Sequence, residues 1–578
     1  MTTYDKHPFI PVSQNPADCA RGWAAIADRL RSTGGQIIAI DTYPGVNDAE
    51  ILEFIREHLR PERLLLTADA LKPRESIEAM TRADVTDDPV FGFITRLSLD
   101  NFFDAARLER LRNELVTGQF TVIYGVGAAR VTAPDVLVYA DLARWEIQMR
   151  MRRNEIANLG LANHAQKWSL KYKRAFFVDW RVADEHKRRV FDRIDFLLDT
   201  NAAGDPKLIS GQQFRSALDL AARRPFRVVP FFDPAPWGGQ WMKEVCDLDR
   251  SAANYGWCFD CVPEENSLLL GFGDVRVEIP SIDLVFAHPR ELLGEAVYGR
   301  FGAEFPIRFD FLDTMGGGNL SFQVHPLTEY IRRHFGMGYT QDESYYLLEA
   351  GDDGCVYLGL KEGINPGAMG QDLRAAATGA APFDADKYAN CFPARKHDHF
   401  LIPAGTVHCS GRNSMVLEIS ATPYIFTFKL WDWGRLGLDG LPRPVHLDHG
   451  LANVQWDRTT EWVKRHLVNA VSPIGRGDGW HEERTGLHDA EFIETRRHWF
   501  TGVVPHHTRG GVNVLNLVQG DSAVVESPTG AFEPFPVHYA ETFIVPAAVG
   551  AYTIRPTGRG EHATIKAFVR TGTHVHAE

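Results

Sequence analysis

From Phe226 onward the chain breaks into short apolar runs punctuated by glycine and proline, and this pattern most narrows the folds open to it. FRVVPFFDPAPWGG, SLLLGFGDVRVEIP, FPIRFDFLDT, YYLLEA, GCVYLGL, HFLIPAGTVH, SMVLEIS and YIFTFKLWDW follow one another too closely for helices. Strand-length runs at this spacing argue for antiparallel sheets in a sandwich or jelly-roll β-barrel. Helical periodicity interrupts twice, in TEYIRRHF from Thr328 and in NPGAMGQDLRAAATG from Asn365. The β pattern returns after about Glu494, where FIVPAAVGAY echoes the earlier FLIPAGTVHC.

The first 222 residues read differently. QIIAID, RLLLTAD, FTVIYGVG, DVLVYAD and RIDFLLD are strand-like runs separated by amphipathic helical stretches such as EILEFIREHL. That alternation predicts an α/β layer with a mainly parallel sheet. The expected fold class is therefore multidomain, α/β plus β, divided as 1–222, 223–470 and 471–578. In the first part, Gly125 and Gly127 follow the strand FTVIY, where a phosphate-binding loop would sit. A working loop needs a lysine for the phosphates and a Ser/Thr for magnesium, and Ala129, Arg130 and Val131 stand in that stretch. With the basic helix RWEIQMRMRRNEI, this part faintly resembles a nucleoside-kinase domain without its phosphate machinery. The plainer expectation is a structural domain whose glycines make a tight turn.

A chain of 578 residues with 44% hydrophobic content is expected to form two to four domains. No run of about 20 apolar residues and no signal-peptide pattern is present, so no membrane partner is expected and the default address is cytoplasmic. A net charge of −13 argues against broad nucleic-acid binding. Seven cysteines do not make a disulfide framework. Cys258 and Cys261 form a CxxC pair, but no second pair completes a zinc ribbon, and two buried thiols are the expectation.

Four residues of metal-ligand type fall in the β-rich region: Gln323 and His325 in LSFQVHP, Glu343 in QDESYYLL, and His408 in PAGTVHC. Strand alternation turns Gln323 and His325 toward one face. Two imidazoles, a carboxylate and an amide oxygen suit Zn²⁺ or a similar divalent ion. By spacing alone, chance placement among 22 histidines remains an alternative.

LSFQVHP, DESYYLL, FLIPAGTVHC, then EIS followed by KLWDWGR, resemble in order and spacing the signature of class I mannose-6-phosphate isomerases, as does PAPWGG at Pro234–Gly239. The resemblance covers about 226–435 and extends loosely to the C-terminus. It implies a zinc cupin with a helical insertion, the ion held by Gln323, His325, Glu343 and His408, and a second, C-terminal cupin. That second copy has Val549, Gly550 and Ala551 where the first has His408, so no metal ligand is expected there. The implied activity is aldose–ketose isomerisation of mannose 6-phosphate, fructose 6-phosphate or a related sugar, by proton transfer between C1 and C2. The implied catalytic residues are Glu418, Lys429 and Arg435, with Ser321, Trp237 and Lys361 as substrate-binding candidates.

The chain also departs from that signature. Thr328 replaces a basic residue after the QVHP motif, Gln341 stands where a lysine precedes the metal glutamate, and Lys429 replaces an arginine. Ammonium for guanidinium is not a neutral exchange at an oxyanion site. Arg332, Arg333 and Lys361 are candidates to restore positive charge, and Trp257, Trp431 and Trp433 are further candidates to stack on a sugar. The partner expected is a sugar or sugar phosphate, with the oligomeric state open. A non-catalytic sugar-binding regulator derived from such an isomerase is the alternative, and a cupin enzyme of another class is a third reading.

Overall fold

A computed structural model describes residues 3–421, 424–486, 488 and 490–571. It separates into two compact units: residues 9–221 with 264–288, and residues up to 8 with 222–263 and 289 onward. The chain is mixed α/β with several sheets. None of its described helices is long and apolar enough to cross a membrane.

The α/β unit is built on a seven-stranded sheet in the order Ala20–Arg21, Lys207–Ser210, Phe196–Asp199, Val136–Asp141, Ile37–Thr42, Thr121–Gly125, Arg63–Leu66. The last five of these run parallel. Lys207–Ser210 pairs antiparallel to them and Ala20–Arg21 antiparallel to it. Val136–Asp141 is buried at every residue, which suits a strand covered on both faces. A small three-stranded sheet, Phe9–Ser13, Ser267–Phe272 and Val275–Pro280, completes the unit.

Open parallel sheets bind ligands beyond the carboxyl ends of their strands, and here that edge is filled by the unit's own charges. Asp41, at the end of Ile37–Thr42, accepts hydrogen bonds from the Gly127 and Ala129 N–H groups at 2.8 and 3.0 Å, with His186 Nε2 2.8 Å away. The amides that would meet a phosphate are thus taken by an internal carboxylate. Gly125, at φ +120°, is required for close approach, because a Cβ there would fall 2.3 Å from Thr67 Oγ1. Asp141 is neutralised by the fully buried Lys187, which also pairs with Asp283.

The β-rich unit carries two pairs of antiparallel sheets. The first pair comprises a six-stranded sheet, His399–Ile402, Glu343–Ala350, Ser414–Ser420, Arg308–Asp313, Trp257–Cys261 and Phe231–Asp233, and a five-stranded one, Ala389–Pro393, Cys355–Leu360, His408–Ser410, Phe322–Val324 and Phe428–Trp431. These ladders have open edges among the described residues, so no barrel is closed. Several strands, including His408–Ser410 and Phe322–Val324, are too short to carry pairing around a corner. Both interrupting helices form, Thr328–Phe335 and Pro366–Ala377, the latter capped by the Asn365 side chain accepting from Ala368 N–H at 3.0 Å. Cys258 and Cys261 are buried thiols.

The C-terminal pair joins a six-stranded sheet ending in Asn513–Gln519 and Thr542–Val545 to a four-stranded one of Val504–His507, Ala551–Pro556, Ser522–Glu526 and Phe535–His538. Phe500, Val504, Leu515, Leu517, Val525, Phe543 and Ile554 fill the core of this part.

His498 is buried in the same part and held down to about 4, first by burial and then by Lys566. A histidine kept neutral in the fold but free to protonate near 6.5 when unfolded stabilises the fold above about pH 6.5, and that contribution is lost as pH falls toward about 4. Denaturant unfolding is therefore expected to lose on the order of 3 kcal/mol to this residue between pH 7 and pH 4. His498→Gln should flatten that slope; an unchanged slope would show that the ring does not govern it.

Candidate metal centre

Gln323 occupies the middle of a three-residue strand, paired on one side with His408 and on the other with Lys429. His325 follows at the same parity. Glu343 opens the strand Glu343–Ala350 of the other sheet, opposite Ser420 and Ile402. The turn before His408 depends on glycine: Gly405 lies at φ +85°, and a Cβ there would stand 2.9 Å from the Asn453 carbonyl. Its N–H donates to the His325 carbonyl at 3.0 Å, tying the two histidine segments together.

Glu343 Oε2 stands 3.1 Å from His325 Nε2 and Oε1 2.8 Å from His408 Nε2, and the Gln323 amide is 3.0 Å from that same His408 nitrogen. His325, Glu343 and His408 each offer a ligand atom within 4.8 Å of the others, and all three are buried. The opposite ring nitrogens are engaged by backbone: His325 Nδ1 lies 2.8 Å from the Phe426 carbonyl and His408 Nδ1 2.9 Å from that of Thr406. A carbonyl only accepts, so both Nδ1 atoms carry protons, and in the neutral form of each ring Nε2 turns a lone pair toward Glu343, whereas the charged form would donate an Nε2 proton to it.

With both rings neutral, as metal ligation requires, lone pairs face lone pairs. His325 Nε2 and Glu343 Oε1 are buried without a hydrogen-bond partner. Such an arrangement is unfavourable until a cation sits among the acceptors. Rotating the Gln323 amide presents its oxygen to the same point. Two imidazole nitrogens, a carboxylate and an amide oxygen fit Zn²⁺ by donor type.

Glu418 is buried on Ser414–Ser420, opposite Tyr345 on one side and Asp310 on the other. Burial, then the charges of Glu343 and Asp310, push its carboxyl well above the usual range. Glu343 is held well below that range: burial opposes this, but the two imidazoles outweigh it.

Half-buried Lys429 is pushed down to about 7 by burial and then by Arg443. Arg435 is engaged by Asp432 at 2.6 and 3.0 Å and by the Asn319 carbonyl. Ser321 donates to Asp432 at 3.1 Å. Arg443, which no motif marked, joins them at 2.8 Å from Asp432 and 3.3 Å from Ser321 Oγ.

The other sequence candidates have these contacts. Trp237 is buried edge-on against Trp257, with ring centroids 5.4 Å apart. Lys361 is exposed and donates to the Asp386 carbonyl. Arg332 pairs with Glu329 on an exposed helix face, with Arg333 exposed beside it. Trp433 donates to the Leu320 carbonyl at 2.6 Å, and Trp431 packs edge-on to Phe383. Sequence reasoning missed both Asp432, although it lies within KLWDWGR, and Arg443, which lies in a stretch with no periodic or motif signal.

His408→Ala should weaken Zn²⁺ binding at least about 100-fold, measured by elemental analysis and chelator competition on purified protein. Unchanged zinc content would remove His408 from the ligand set.

Comparison with known proteins gives two separate results. Residues 22–223 match a family described as a domain of unknown function, DUF8485. The chain is also similar to mannose-6-phosphate isomerase of Streptococcus mutans, 27% identical over 218 residues, covering 37% of this chain and 63% of that protein. It is likewise similar to mannose-6-phosphate isomerase ManA of Bacillus subtilis, 23% identical over 251 residues, covering 42% and 71%. The chain thus spans less than two thirds of the S. mutans relative. Among solved structures, the B. subtilis mannose 6-phosphate isomerase aligns with 60% of this chain and 99% of its own, at 18% identity and a TM-score of 0.49. Phosphomannose isomerase from Salmonella typhimurium aligns with 60% and 100%, at 13% identity and a TM-score of 0.46.

Proposed function

We propose that the chain is a metal-dependent aldose–ketose isomerase of the mannose-6-phosphate isomerase type, moving a proton between C1 and C2 of a hexose phosphate. The observation that carries this reading is the buried meeting of Glu343 with the Nε2 atoms of two imidazoles whose Nδ1 atoms are held by backbone carbonyls. Gln323, His325, Glu343 and His408 would hold Zn²⁺, which when bound supplies a positive charge to polarise a sugar oxygen.

The remaining work falls to this chain's own side chains. Glu418, whose carboxyl is pushed upward by burial and the neighbouring Glu343 charge, is the candidate proton carrier: as a carboxylate it would take the proton from one of C1 and C2 and return it to the other. Lys429, opposite Gln323 in the ladder, offers its charge to the oxyanion that develops as the proton leaves carbon. Arg435 and Arg443 clamp Asp432 from two sides. Three cationic groups around one carboxylate, with Ser321 Oγ at hand, favour a phosphorylated sugar over a neutral one.

Zinc-loaded protein in deuterated water should exchange the C2 proton of a hexose phosphate, seen by NMR. Tight zinc without exchange on any hexose or hexose phosphate would instead establish the rival reading, binding without turnover. In the active case Arg443→Met should raise KM for the phosphorylated sugar about tenfold, or about 1.4 kcal/mol, and leave an unphosphorylated analogue unaffected. Equal effects on both would take Arg443 away from the phosphate.

A further inference from the structure

Gln341 lies two residues before Glu343 and is 3% exposed. Its Nε2 donates to Glu343 Oε2 at 3.0 Å, and its Oε1 accepts from the Phe426 N–H at 2.9 Å. The carbonyl of the same Phe426 receives the Nδ1 proton of His325 at 2.8 Å. One carboxamide therefore touches the carboxylate of the centre directly and its imidazole through a single backbone residue.

Only a group with both a donor and an acceptor completes this chain. A carboxamide has both; a lysine ammonium only donates, an ionised carboxylate only accepts, and an aliphatic side chain does neither. Gln341 occupies one oxygen of Glu343 and leaves Oε1, the oxygen nearest His408, without a hydrogen-bond partner. It also holds the Phe426 peptide, whose carbonyl keeps the His325 proton on Nδ1 and frees Nε2.

We infer that Gln341 is a positioning residue of the metal centre, fixing the rotamer of Glu343 and, through the Phe426 backbone, the orientation and tautomer of His325. This rests on the reading of Gln323, His325, Glu343 and His408 as a cation site. Its consequence is thermodynamic: an outer contact that pre-sets two ligands raises affinity for the ion without touching it, an effect worth about 10–100-fold. Gln341 is thereby the point at which an amide, rather than a cationic side chain, adjoins the metal carboxylate.

The test uses the full chain, stripped of metal and titrated with Zn²⁺ against a chelating dye. Gln341→Leu removes donor and acceptor together and is expected to weaken zinc binding about 10–100-fold. Gln341→Lys keeps the donor, loses the acceptor for Phe426 N–H, and is expected to show a smaller loss. Val525→Ala, which opens a cavity in the C-terminal core, controls for general weakening: it should lower Tm and leave the zinc Kd alone. If Gln341→Leu does not fold, Gln341→Lys carries the test. Wild-type protein that holds zinc while both Gln341 variants bind within about threefold of it would overturn the inference and leave the cation site standing. Wild-type protein that takes up no zinc would instead overturn the site itself.

Discussion

Two imidazoles and a carboxylate, buried and brought face to face, dictate most of what surrounds them. His325, His408 and Glu343 come from three segments, spread over more than eighty residues of sequence, and meet with their lone pairs directed at one another. Holding them there requires the Thr406 and Phe426 carbonyls behind the rings, the Gly405 turn that draws the two histidine segments together, and a ladder that seats Gln323 beside His408. Each of these contacts concerns direction as much as distance. A fold stabilised by apolar burial alone would have no reason to collect them.

The α/β unit handles buried charge in the opposite way. Asp41 is satisfied by two amides and His186, and Asp141 by Lys187. Tyr43 and Arg144 both reach Asp184. Every one of these carboxylates meets a donor from the same unit, so the edge of the sheet where a ligand would dock carries its own counter-charges. Internally closed networks of this kind give a defined structure. Charge left open, as at Glu343, marks where something from outside is needed.

The difference also explains what could be read from sequence. Gln323, His325, Glu343 and His408 were legible through the resemblance of LSFQVHP, DESYYLL and FLIPAGTVHC to a known signature; strand alternation added only that Gln323 and His325 can share a face. The alternation of strands and helices in the first 222 residues likewise pointed to a parallel sheet. The carboxylate that fills the Gly125–Gly127 loop was not legible, since Asp41 sits some eighty residues earlier and nothing local announces the pairing. Arg443 and the double role of Gln341 escaped for the same reason: both act through partners set by tertiary contact. Trp237 shows the converse, a motif residue whose bulk is spent on core packing.

The account stands on a cation gathered by nitrogen and oxygen donors, and X-ray absorption at the zinc edge of protein loaded with one equivalent of zinc examines that most directly. It predicts a first shell of nitrogen and oxygen at about 2.0–2.1 Å with the outer-ring scattering of two imidazoles and no sulfur. A shell containing sulfur at about 2.3 Å, or one without imidazole scattering, would place the metal elsewhere and contradict it.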